Sequence, residues 1–478
     1  MERVGHFQRL ARWLAVVSSL FALSLAAEIG PRASWPNGPF VTSGRWITDA
    51  SGAKITYVGV NWPGSLEAMI PEGLQYQSIE ALVSKIKSLG MNVIRLTYAT
   101  EMIDQWYDNG NEDIPIQKAF TDALGQEDGT AIYNKVIANN PSFGSNTTRL
   151  EVFDAVAAEC AKQEIYVHLD NHISKAGWCC SPFDGNSWWN DTFFNVDNWE
   201  RGLTFMARHG KAWPNLMSMS LRNELRLSLN DTQIDSTYTW EDWYKYVQQG
   251  AEAIHSTNED VLIFLSGLDS DKNLTAVVQG SALEPGTATF NRDDFSGYGD
   301  NKLVLELHVY DNILGTPSSN CTVTTDKLFD EGFQTLSDSA TNQFPLVVTE
   351  FGFPQNESTA TNSYASCLLD YFPSQHAGWM IWALGGSYYL REGTQDYDEN
   401  WGLLSHDGSA WREPDFVSDL LSPAVNASLA PITDDGNSSG DGSDDKPSSA
   451  SGLSQSQPLI ILTLALSGAL ALLSYSWQ

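Results

Sequence analysis

The chain has 478 residues, of which 42% are hydrophobic and 11% aromatic, a globular composition with material for one large core or two medium ones. Its 27 Lys and Arg against 59 Asp and Glu leave a formal charge of -32, which excludes a nucleic-acid partner because a phosphate backbone would be repelled. Part of that acidity lies around Asp434 to Asp445, where it reads as a solvated linker and says little about substrate.

In chain order, Arg3, Arg9 and Arg12 precede an apolar run from Trp13 to Ala27, with Ser24 and Ala26 fitting cleavage after Ala26. Residues 1–26 therefore read as a signal peptide, with a retained signal anchor as the alternative. Eight short apolar runs follow, each leading into a longer amphipathic stretch. They are Ile55 to Val60, Asn92 to Thr97, Ile165 to Leu169, Leu216 to Leu221, Val261 to Leu265, Leu303 to Val309, Leu346 to Thr349 and Trp379 to Ala383. Helical spacing is plain in Ser78 to Leu89 and in Trp240 to His255, where one apolar face would pack on a sheet.

This alternation predicts an α/β fold, a (β/α)8 TIM barrel over residues 28–425. An open doubly wound sheet would show a Gly-rich phosphate loop after its first strand, but that position reads Val60-Asn61-Trp62-Pro63-Gly64. Insertions enlarge the loops after strands two (Glu101 to Ser145) and three (Ser174 to Asp197), on the rim where such barrels keep their sites. The second insertion carries Trp178, Trp188, Trp189, Cys179 and Cys180, suited either to an aromatic wall of a groove or to a small satellite core.

Residues 426–457 form a Ser/Gly/Asp-rich linker and 458–478 a hydrophobic tail with no basic cluster after it. A type I membrane span usually ends in such a cluster, so the tail reads as a GPI-attachment signal, with Ser448, Ser449 and Ala450 as small residues for attachment; a true C-terminal span is the alternative. Eight Asn-x-Ser/Thr sequons, at Asn146, Asn190, Asn230, Asn273, Asn320, Asn356, Asn426 and Asn437, agree with the secretory pathway. Five cysteines in an oxidising compartment predict up to two disulfides and one leftover thiol. Cys160, in a helical pattern, is the candidate for the buried thiol, and the pairing of the others stays open. No His or Cys spacing resembles a zinc site.

Two apolar strands run into a glutamate where they should emerge at the rim: Ser218-Met219-Ser220-Leu221-Arg222-Asn223-Glu224 and Leu346-Val347-Val348-Thr349-Glu350-Phe351-Gly352. A carboxylate at the end of an apolar strand must be paired or functional. Two such carboxyls are what acetal hydrolysis requires, one to protonate the leaving oxygen and one to attack the anomeric carbon or activate water. Asp170 and Asp269 are competing strand-end acids.

Asn223-Glu224 and Thr349-Glu350-Phe351-Gly352 together resemble glycoside hydrolase family 5, the cellulase-type family of retaining β-glycosidases, over most of the chain. The resemblance implies that Glu224 is acid/base, Glu350 nucleophile and Asn223 a ligand of the sugar 2-hydroxyl. Arg95 in Val93-Ile94-Arg95-Leu96 then resembles the arginine that keeps the nucleophile ionised, and His172 in Leu169-Asp170-Asn171-His172 the strand-three histidine, with His168 as a competitor. His308 and Tyr310 resemble the strand-six pair, and Trp382 in Met380-Ile381-Trp382-Ala383 the tryptophan under the cleaved sugar. Leu225 stands where the family commonly has proline, which puts subfamily and substrate in doubt more than mechanism.

The resemblance implies a glycosidase without cofactor or metal, Glu224 resting as an acid of raised pKa and the two carboxyls about 5–5.5 Å apart, and the signal peptide adds that it is secreted. Endo-β-1,4-glucanase is the first expectation; a cell-wall β-1,3/1,6-glucanase or a β-mannanase follows, and a catalytically inactive carbohydrate-binding wall protein is the reading from another class. The expected partner is a polysaccharide or oligosaccharide, met by a monomer outside the cell, tethered to the outer face of the membrane or wall.

Overall fold

The computed structural model describes residues 35–297, 299, 301–310 and 320–432. The chain divides into two units, Met1–Pro431 and Ile432–Gln478; the signal peptide, most of the linker, the hydrophobic tail and Asn437 lie outside the described residues.

Eight parallel strands close a barrel in sequence order: Val58–Trp62, Val93–Ala99, Tyr166–Ile173, Leu216–Ser220, Leu262–Ser266, Leu303–Val309, Leu346–Phe351 and Gly378–Ile381. Helices pack outside it, among them Ile79–Ser88, Arg149–Lys162, Val196–His209, Trp240–His255, Cys321–Glu331 and Ser363–Ser374. Each begins where a side chain satisfies free backbone N–H groups. Ser78 caps the first, Thr148 and Glu151 form a reciprocal capping box on the second, and Asn195, Thr239, Asn320 and Asn362 cap the others. The fold class read from the sequence is the one observed.

One boundary shift changes a strand's partners. The first barrel strand begins at Val58 because Lys54–Ile55 pairs instead with Trp46–Thr48 in a three-stranded antiparallel sheet. That sheet covers the barrel floor: Phe40 and Ile47 join Tyr57, Val93, Tyr166, Met217, Leu262, Phe264, Val304, Val347 and Met380 in one apolar cluster. The insertion after the second strand holds three helices, Thr100–Asp108, Ile116–Leu124 and Gln126–Asn139. Toward the end of the first unit the helix Ser422–Ser428 packs on the barrel, with Trp379 Nε1 donating to Ser428 Oγ at 2.8 Å.

The strands meet tightly beside Gly59, where a Cβ would lie 1.9 Å from the Val93 carbonyl oxygen. Gly59→Ala should therefore force two paired strands apart and lower stability by about 1–3 kcal/mol, the usual cost of overpacking. Urea unfolding is the check, and an unchanged midpoint would contradict it.

Disulfides join Cys179 to Cys180 and Cys321 to Cys367, leaving Cys160 free and buried. Burial pushes the Cys160 thiol up, away from the reactive thiolate. Of the seven described sequon asparagines, all but Asn273 are exposed, as glycan attachment requires.

Candidate active site

Period-two alternation builds the site from the floor upward. On the sixth strand Val304 sits in the apolar floor, and Glu306, His308 and Tyr310 follow on the same inward face. On the third strand Tyr166 is followed by His168, Asp170 and His172, and on the second Val93 by Arg95. The interior thus changes from apolar to charged within two residue pairs. The seventh strand reaches the same end by a bulge: Val347 faces the floor, and its register against the sixth shifts between Val348 and Glu350. The extra residue turns the Glu350 carboxyl inward, a common use of a bulge beside a site. Gly352 then lets the chain pass the Trp382 carbonyl, which a Cβ would meet at 2.6 Å.

Arg95, fully buried, holds the centre together. Its Nη1 donates to Glu350 Oε2 at 2.8 Å and Asn61 Oδ1 at 2.9 Å, and its Nη2 donates to Asn223 Oδ1 at 2.6 Å and pairs with Asp170 Oδ1 at 3.1 Å. Burial alone would push the Asp170 carboxyl up, but Arg95 and His172 outweigh it and hold it at about 2. Asp170 Oδ2 in turn accepts from His172 Nδ1 at 2.7 Å. Asp170 is therefore a member of the network, tying His172 to Arg95, while Asp269 is exposed. His172 lies on the strand, one residue before its end, rather than beyond it. His168 sits deeper, between Ser218 Oγ and Ser220 Oγ at 2.8 Å each, and burial pushes its ring down to about 3. A neutral ring below the rim, with both nitrogens occupied, leaves the rim position to His172.

Tyr310 OH donates to Glu350 Oε1 at 2.6 Å. His308 Nδ1 lies 3.0 Å from Glu224 Oε1 and 3.9 Å from Glu350 Oε1, while its Nε2 lies 3.7 Å from Asp271. Burial disfavours a charged imidazole, yet Glu350, Glu224 and Asp271 raise it to about 9. The consequence for Glu224 differs from the raised pKa expected of a resting acid. Burial pushes that carboxyl up, but the His308 hydrogen bond and charge push it further down, below its ordinary value. The same contact draws a proton toward His308 and away from Glu224.

The shift has a measurable sign. His308 is raised from 6.5 to about 9, so its ionic contacts stabilise the fold fully below pH 6.5 and are lost as pH rises through about 9. The unfolding midpoint of the unaltered protein should fall over that window, and His308→Gln should flatten the fall. An equal slope in both proteins would contradict the assignment. Glu350, Glu224, Asp271 and Glu306 face the ring; burial also raises Glu306 to about 7 and Asp271 well above its usual range.

Glu224 itself adopts the left-handed region, φ 46°, uncommon for a residue with a Cβ and costing of order 1–3 kcal/mol. It is held there from both sides: its N–H donates to Asp271 Oδ2 at 2.7 Å, and its carbonyl accepts from Arg226 Nη1 at 2.8 Å. Arg226 also reaches Ser181 O and Asp184 Oδ2, at 3.1 and 2.6 Å. The Leu225-Arg226 sequence thus anchors the Glu224 turn to the insertion after strand three. Asp271 was not expected at the site, and Arg226 only as the residue that follows Leu225 beside the acid/base. Asp271 follows two other left-handed residues, Asp269 and Ser270, a path that neither periodicity nor a glycine announces.

Trp382 and His172 stack with ring centroids 5.7 Å apart and 11° between planes. Trp178 meets the edge of Trp382 at 6.1 Å and carries the Arg391 guanidinium 3.4 Å above its ring. Of the three tryptophans in the insertion only Trp178 lies here. Trp188 and Trp189 are fully buried against Tyr238, Tyr246 and Trp199 and join the main hydrophobic core, so they form neither a groove wall nor a separate satellite core. All eight residues expected from the sequence, Arg95, His172, Asn223, Glu224, His308, Tyr310, Glu350 and Trp382, come together at this one rim.

Residues 48–387 match the family model described as Cellulase (glycosyl hydrolase family 5). A glycosyl hydrolase 5 family protein of Chamaecyparis obtusa is 34% identical over 407 residues, spanning 82% of this chain and 68% of its own. An endoglucanase of Paenibacillus polymyxa is 23% identical, spanning 87% and 96%. Among solved structures, the catalytic domain of the major endoglucanase from Xanthomonas campestris superposes with a TM-score of 0.57 at 19% identity, over 81% of this chain and 99% of that one. A Pyrococcus horikoshii endocellulase in complex with cellotetraose gives 0.60 at 19%, over the same shares.

Proposed function

The chain belongs to glycosyl hydrolase family 5, the cellulase family, and from that premise we propose that it is a retaining endo-β-1,4-glucanase. The observation that carries this reading is the approach of Glu224 to Glu350, with a carboxylate oxygen of each within 4.8 Å of the other's. Retaining glycosidases hold their two carboxyls about 5–5.5 Å apart, and inverting ones about 6.5–9.5 Å to admit a water.

In this reading Glu350, oriented by Arg95 and Tyr310, attacks the anomeric carbon of a sugar resting on Trp382, while Glu224 protonates the departing oxygen. Water, deprotonated by Glu224, then cleaves the glycosyl ester. The depressed Glu224 is reconciled with an acid's role by the charge of Glu350, which is the largest attraction holding the proton on His308. As Glu350 becomes an ester that charge disappears, and the proton moves across the 3.0 Å contact to Glu224 when the leaving oxygen needs it. Asn223, fixed through its Oδ1 by Arg95, faces the sugar with its amide nitrogen.

The endo-β-1,4 choice is supported by the endoglucanase and endocellulase names of the relatives and of the structures sharing the fold. Secretion by residues 1–26, tethering by residues 458–478 and action as a monomer outside the cell belong to the same proposal. Among the described residues no helix is long and apolar enough to cross a membrane.

Reducing-sugar release from β-1,4-, β-1,3- and β-1,6-glucans and from mannan is the test. Fastest release from the β-1,4-glucan is expected. Preference for a wall glucan or mannan would overturn the substrate, and binding without cleavage would make the protein a lectin.

A further inference from the structure

Cys179–Cys180 stands apart from the other disulfide in what it can stabilise. A crosslink limits the unfolded chain in proportion to the loop it closes. Cys321–Cys367 spans 46 positions and joins two helices, whereas Cys179 and Cys180 are neighbours. The adjacent pair closes no loop and gains almost nothing as a staple.

Its position is informative instead. Both cysteines are half-buried on the insertion after the third strand, next to Trp178, which touches Trp382. Asn223 Nδ2 lies 3.6 Å from Cys179 Sγ and 3.5 Å from Cys180 Sγ. Both sulfurs lie within 4.8 Å of a Glu224 carboxylate oxygen. The Asn223 amide cannot turn away, because its Oδ1 is held by Arg95 at 2.6 Å. A sugar hydroxyl that reaches the Asn223 amide nitrogen must therefore lie against the two sulfurs. Sulfur is polarizable, a weak acceptor and no donor once oxidised to the disulfide, so it offers the C–H surface of a sugar an apolar contact and displaces water beside Glu224.

We propose that the Cys179–Cys180 disulfide is a substrate-contacting wall of the catalytic subsite, a specificity-determining element rather than a structural crosslink. The proposal rests on the placement of Asn223 and Glu224 in that subsite.

The test compares the full chain with its Cys179→Ala/Cys180→Ala form on a cello-oligosaccharide, each before and after treatment with a phosphine reductant, with mass mapping of the opened cysteines. The double substitution should lower kcat/KM about five-fold or more, chiefly through KM, a size typical of lost sulfur contacts. The thermal midpoint should stay put because no loop is opened. Reductant should lower kcat/KM of the unaltered protein as Cys179 and Cys180 open, and leave the double variant unaffected. A kcat/KM unchanged by the substitution would overturn the proposal, and so would equal losses in both proteins on reduction, which would trace the effect to Cys321–Cys367. Should the double variant fail to fold, the reduction arm decides alone through the cysteines mapped. Absence of hydrolysis by the unaltered protein would instead overturn the glucanase reading together with this one.

Discussion

Glu350→Gln should lower kcat on every substrate the protein cleaves by at least about 10⁴-fold, the scale seen when a covalent nucleophile is removed. The substitution is nearly isosteric, so the site should otherwise persist. The amide oxygen can accept from Arg95 Nη1, and the amide nitrogen can donate to Tyr310, whose hydroxyl now donates to Glu350. The fold should therefore survive with substrate affinity retained. A second readout separates this from general damage. Glu350 is the foremost charge raising His308 to about 9, so the imidazole should titrate lower in Glu350→Gln, which NMR of the histidine ring would detect. Retained turnover would remove Glu350 from the nucleophile's role.

Arg95→Met should damage both stability and activity. Four groups depend on that guanidinium: Glu350, Asp170, Asn223 and Asn61. Methionine fills much of the volume but leaves two carboxylates inside the barrel without their cation. Breaking a buried pair from one side typically costs about 3–5 kcal/mol, and misplacing Glu350 and Asn223 together should cost at least about 10²-fold in kcat. The pH dependence carries a sign. Asp170 is depressed from 3.8 to about 2, so Arg95 contributes stability through it above pH 3.8 and loses that contribution as pH falls through 2. The gap between unaltered protein and variant in urea should thus be widest near neutrality and narrow in acid. A gap that ignores pH would mean that Arg95 acts by packing alone.

The strands were readable because a closed parallel barrel buries both faces of each strand, which leaves apolar runs of the right length, and because inward residues keep period two. Arg95, His308 and Tyr310 were placed by the family resemblance, at or just past such runs. What escaped the sequence depends on local geometry. Ile55 is as apolar as a barrel strand requires, and only the pairing with Trp46–Thr48 assigns it to the floor sheet. Asp271 reaches the Glu224 amide through three successive left-handed residues, none of them glycine. Trp178, Trp188 and Trp189 share a loop and a residue type, yet only the first faces the sugar rim. The electrostatics escaped for a similar reason. The resemblance implied a raised Glu224, and the opposite direction appears only once His308 is seen 3.0 Å away.

The central claim is that Glu350 forms a glycosyl ester that water then opens from the original face. The most direct measurement is proton NMR of the anomeric signals during the first minutes of β-glucan hydrolysis, before mutarotation mixes them. The account predicts that the β-anomer of the new reducing end appears first and the α-anomer grows in later. First appearance of the α-anomer would mean single displacement by water, and would contradict the role assigned to Glu350.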